Sequence, residues 1–91
     1  MKLSDESLVL LEEYASNFLT ITEIAILLDV DSDLLRESIS KRETKEFRSY
    51  NKGKLKRILE LRSQEIELAK LGSTVAIELV SKYIDNQKSD E

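Results

Sequence analysis

The sequence predicts an all-α chain, with an N-terminal three-helix, helix-turn-helix-like unit followed by an antiparallel hairpin of one long and one short helix. Three observations predict it. There is no Pro and there are only 2 Gly in 91 residues, so few positions break a helix. Apolar residues recur every three or four positions, and no useful length alternates as a half-buried strand does. Capping residues stand where the periodic stretches begin.

The first helix follows from Ser4, a good N-cap, with Asp5 and Glu6 in the first turn where the helix dipole favours acids. Leu8, Leu11, Ala15 and Phe18 follow at helical spacing, which predicts a helix over Asp5–Ser16. A second begins after Thr20, because Thr20 and Glu23 form a capping box and Leu19 and Ile24 stand where a hydrophobic staple places them. It is expected over Ile21–Leu28. The acids and Ser of 29–33 supply turn and N-cap chemistry for a third helix, with Leu34, Leu35 and Ile39 as its apolar face and an end near Arg42.

Residues 47–84 then read as a long charged helix, a break at Gly72 and Ser73, and a short apolar helix folding back. On a wheel of about 100° per residue, Leu55, Ile58, Leu59, Ile66 and Ala69 fall within an arc of roughly 100°. Val75, Leu79, Val80, Tyr83 and Ile84 give the returning helix a face to cover that seam. Gly72 suits a left-handed C-cap and Ser73 the N-cap after it. Ala69 and Ala76 are small enough for close approach at the corner. Gly53 marks either a kink or the start of the long helix, and Phe47 and Tyr50 are either core residues or base-stacking ones. Tyr50, Leu61 and Leu68 form a second apolar stripe, about 120° or more from the first. They are the expected oligomer interface. The expected organisation is therefore 1–44 as the three-helix unit, 45–87 as the hairpin that oligomerises, and 88–91 as a polar tail.

Composition excludes several function classes. A chain this short is one domain at most, of a size at which oligomerisation is a common remedy for a small core. With no Cys and no His there is no disulfide, no zinc site, no thiol nucleophile and no imidazole base. Asp29, Asp31 and Asp33 alternate as in a calcium loop, but Leu34 stands where that loop needs Gly and Ser40 where it needs Glu. Gly53 and Lys54 lack the spacing of a phosphate loop, and no strand precedes them. Neither enzyme activity, nor a metal, nor any cofactor is expected. There is no apolar run of about 18 residues and no signal-like start, so a soluble, cytoplasmic protein without a membrane partner is expected.

The net charge of -4 hides an asymmetry. Residues 1–44 carry ten acids against Lys2, Arg36, Lys41 and Arg42, whereas 45–91 carry ten bases against eight acids. Within 41–62 nine bases face three acids, the one electrostatic footprint suited to phosphate. The candidate contacts to double-stranded DNA are Arg36, Lys41, Arg42, Lys45, Arg48, Lys52, Lys54, Lys56 and Arg57. A recognition helix at 32–40 would expose Ser32, Asp33, Arg36, Glu37 and Ser40. Arg36 could read a guanine edge and Glu37 a cytosine amine, but Asp31, Asp33 and Glu37 repel phosphate, and a solvated helix face explains them as well.

Residues 22–30 resemble the first half of a helix-turn-helix, with Ala25 at the crossing, Ile24 and Leu28 inward and Val30 anchoring the turn. Asp29 replaces the usual Gly and Ile39 lies one residue beyond the usual last apolar position; a purely structural three-helix core would share the pattern. Phe47, Tyr50, Gly53 and Lys54, then Leu61 and Arg62, then Leu68, Ala69, Gly72, Ser73 and Ala76, resemble the phage terminase small subunits and related DNA-packaging proteins in order and spacing. The resemblance covers about 20–84, and the family's Trp-x-Leu-Lys sequel is missing. It implies a homo-oligomer, a ring in that family, that engages viral DNA and presents it to a large terminase motor subunit. The alternatives are a dimeric helix-turn-helix transcriptional regulator and a helical adaptor or virion structural protein that binds only protein.

Overall fold

A computed structural model describes residues 1–91. It is all-helical: α1 Asp5–Ser16, α2 Ile21–Leu28, α3 Ser32–Ser40, α4 Lys45–Lys70 and α5 Thr74–Asp90. No helix is long and apolar enough to cross a membrane. The chain divides into two compact units, Met1–Arg57 and Ile58–Glu91, so the division falls inside α4 and not ahead of it at residue 44. The reason is that the first half of α4 packs on α1 and α3, as its contacts below show.

In the first unit every helix start is closed by a side chain. Ser4 accepts from the Ser7 N–H at 3.1 Å, and Asp31 accepts from the amides of Asp33 and Leu34 at 2.9 and 3.0 Å. The capping box forms in both directions: the Thr20 N–H donates to Glu23 at 2.8 Å, and the Glu23 N–H donates to the Thr20 hydroxyl at 3.1 Å. The core is Leu8, Leu11, Ala15, Ile24, Ala25, Leu35 and Ile39, with Leu19, Leu28, Val30 and Tyr50 packed against it. Each large aliphatic side chain buried there stabilises the fold by about 2 kcal/mol.

The ends of α1 and α2 use left-handed residues. Phe18 has φ 59° and Asp29 φ 56°. Around each, one amide donates three residues back and the next donates five back: Phe18 to Ala15 and Leu19 to Tyr14, then Asp29 to Ile26 and Val30 to Ala25. This double closure satisfies carbonyls that a helix end leaves open. It also corrects one expectation, since Phe18 belongs to the turn and not to the apolar face of α1. The residue is 50% exposed.

Two further corrections concern α3. Leu34 is exposed, and its expected place is taken by Ser38, because Leu35, Ser38 and Ile39 share the inward face while Leu34 lies about 100° from Leu35. The helix also stops at Ser40, where Lys41 turns extended. Thr44 then caps α4, accepting from the Phe47 N–H at 3.0 Å. At that corner the Ser38 hydroxyl donates to the buried Glu46 carboxylate at 2.8 Å, which fixes α4 to α3. Helix α4 runs through Gly53, which is therefore not its start. The glycine is buried, and a Cβ there would collide with the Glu12 carbonyl oxygen; its role is close approach to α1.

The second unit pairs the latter half of α4 with α5. Gly72, at φ 94°, closes α4 in the same double pattern, with its own N–H donating to Ala69 at 3.0 Å and that of Ser73 to Leu68 at 3.1 Å. Ser73 then caps α5 through the Ala76 N–H at 3.3 Å. Ala76 is buried, Ala69, Leu79, Val80 and Tyr83 are half-buried, and the Arg62 guanidinium lies 4.6 Å from the Tyr83 ring centre. The expected seam is only partly covered. Leu55, in the first unit, and Leu59, Ile66, Val75 and Ile84, in the second, are all exposed. Beyond Ile84 helix α5 carries only polar residues through Asp90, so it has no apolar partner to offer Leu59, and no separate tail begins at 88.

Candidate nucleic-acid interface

Four bases of α4, Lys45, Arg48, Lys52 and Lys56, recur at helical spacing and fall within an arc of about 80° over a rise of about 16 Å. They lie beside the face that α4 turns to α1. Gly53 brings the two backbones together at Glu12, and that contact carries the Glu12 side chain against the basic stripe. Its carboxylate stands 2.8 Å from the Lys56 ammonium and 4.0 Å from that of Lys52, with 29% of the side chain exposed. A hollow of about 290 Å³ opens beside it, lined by Leu8, Glu12, Lys45, Arg48, Ser49 and Lys52.

The nine cations singled out in the sequence are not equivalent. Arg36 spans α2 and α3, its guanidinium 3.1 Å from the Thr22 hydroxyl and 3.4 Å from Asp33, so base reading would require it to leave both. Lys41 pairs with Glu37 at 3.4 Å. Lys54 lies 5.1 Å from the Tyr50 ring centre, and the Arg57 Nε–H donates to the Ser16 carbonyl at 2.9 Å. Arg42, Lys45 and Arg48 are exposed and make no ion pair. The exposed face of α3 is acidic apart from Arg36, with Asp33 and Glu37 open to solvent.

Of the expected oligomer stripe, Leu61 and Leu68 are exposed in the second unit, joined by Leu71 at 84% exposure. Tyr50 is instead half-buried against the core of the first unit. The residues that sequence reasoning missed are Glu12 and Ser49. No local signal marks either, since Glu12 meets Lys56 across 44 positions. No family model, curated protein or solved structure matches the chain.

Proposed function

We propose that this is a non-catalytic, self-assembling protein that holds double-stranded DNA through the first half of α4, the role that the resemblance to the terminase small subunits implies. The basic stripe carries the reading: Lys45, Arg48, Lys52 and Lys56 face one way, and two of them, with Arg42, have no acid to neutralise them. Self-assembly is supported by the second unit. It has one buried apolar residue, Ala76, and exposes Leu59, Leu61, Ile66, Leu68 and Leu71. A unit of under about 40 residues rarely holds alone without disulfides, metal or association. Several copies would add weak phosphate contacts into useful affinity.

The test is light scattering on a sizing column together with duplex binding at two salt concentrations. The reading expects an oligomer, and an affinity that falls steeply with salt. Leu61→Lys with Leu68→Lys should shrink the assembly while circular dichroism stays helical. A monomer at high micromolar concentration rejects self-assembly; absent or salt-insensitive binding rejects the DNA role. An adaptor that binds only protein is the second reading, favoured by the outward Ile26 and Leu27 of α2.

A further inference from the structure

We propose that the hollow between α1 and the first half of α4 is a phosphate site, with Lys45, Arg48 and Lys52 as its cations, Ser49 as a hydroxyl donor and Glu12 as an internal competitor. The site lies wholly within the first unit. That the phosphate belongs to DNA rests on the function proposed above; that the hollow takes a phosphate does not.

Four observations converge on it. The hollow is shallow and open to solvent, about 290 Å³, and three cations line it against one acid. Lys45 and Arg48 are unpaired, and Lys52 is held only at 4.0 Å, so all three can turn to an anion without losing a tight partner. Ser49 is half-buried and its hydroxyl makes no hydrogen bond. Two other serines of these helices behave differently: the hydroxyls of Ser63 and Ser81 donate to the carbonyls of Leu59 and Ile77, one turn back, and only the exposed Ser89 near the end of α5 is open like Ser49. A hydroxyl left open beside three cations is suited to a phosphate oxygen.

The fourth observation is the position of Glu12. It is an acid in the basic stripe, placed there by the Gly53 contact and held by Lys56 at 2.8 Å. Its charge reduces the attraction of the hollow for any anion. The Glu12 carboxylate lies 4.0 Å from the Lys52 ammonium, so a phosphate drawn to Lys52 must compete with it. The acid therefore sets a threshold. Isolated phosphates bind weakly, whereas a backbone that brings further phosphates to Arg42 and Lys56 overcomes it.

The test uses the full chain and a short fluorescent duplex, with affinity measured between about 50 and 200 mM salt. Glu12→Gln keeps the shape and removes the charge; it should tighten binding about five-fold at low salt and steepen the salt dependence. Lys45→Gln with Arg48→Gln should weaken binding roughly ten-fold, and Ser49→Ala about two-fold. Lys82→Gln, at an exposed cation of α5 in the second unit, should change little. The site is rejected if Glu12→Gln leaves affinity unchanged or lower, or if Lys82→Gln costs as much as the double variant. Were Glu12→Gln to misfold by circular dichroism, the ordering of the other three variants would still decide.

Inorganic pyrophosphate, titrated by calorimetry, separates the two sources of phosphate. Pyrophosphate binding that needs Lys45 and Arg48, with no duplex binding, would keep the site and reject the DNA role. Duplex binding insensitive to all of these substitutions would keep the DNA role and reject the site.

Discussion

Gly53 in α4 lies against the main chain of Glu12 in α1 so closely that a Cβ would stand 2.9 Å from the Glu12 carbonyl carbon and nearer still to its oxygen. Two effects of Gly53→Ala therefore oppose each other. Alanine favours a helix interior by about 1 kcal/mol, while the collision is with backbone, which no rotamer change relieves. The collision should prevail, with a net loss of about 2 kcal/mol in urea unfolding. A gain in stability would mean that α4 is not seated on α1.

The turns after α1 and α2 place Phe18 and Asp29 in the left-handed region, where an L side chain costs roughly 1–2 kcal/mol. Asp29→Gly should raise stability by about 1 kcal/mol, because the carboxylate makes no hydrogen bond that glycine would forfeit. The reverse holds at Gly72: Gly72→Ala should lower stability by a similar amount, although nothing crowds its Cβ position. Thermal unfolding of the two variants side by side checks the opposite signs.

Ser38 is buried and donates to the buried carboxylate of Glu46 at 2.8 Å. Ser38→Ala removes few atoms but leaves a desolvated acceptor short of its donor. It should cost about 2 kcal/mol, well above an exposed serine such as Ser63. Ser38→Ala with Glu46→Leu should recover part of the loss, since both polar partners then leave together.

Glu23 carries the pH dependence of α2. The Thr20 backbone N–H, and then its side chain, hold the Glu23 carboxyl below the ordinary glutamate value. A carboxyl lowered on folding contributes stability that is full above its unfolded value and is lost as pH falls through the lower folded one. The melting temperatures of the protein and of Glu23→Ala should thus differ most near neutral pH and converge below the carboxylate range.

What was legible in the sequence was local. Ser4, Thr20 with Glu23, Asp31 and Ser73 set the helix starts from bonds two or three residues long, and α1 and α2 fall where those caps place them. Gly72 announced its turn for the same reason. Phe18 and Leu34 did not, because a period of three or four permits either residue to face the core, and neighbouring helices decide. At Leu59 the hairpin seam is less complete than its pattern, because the pattern shows an apolar stripe but not the polar end of α5. In the candidate site the four bases of the stripe were visible as a charge run. Their division into paired and unpaired was not, since it depends on Glu12 arriving from α1.

The double closures at Phe18, Asp29 and Gly72 span six residues each. Reversing the chain at these corners needs no long loop to find its end, so most of the entropy of connecting consecutive helices is met locally. That favours rapid refolding, on the microsecond to millisecond scale of helical domains. The slower step is then the seating of α4, which must bring Gly53 to Glu12 across 41 positions of chain before the buried corner at Glu46 and the basic stripe acquire their final environment.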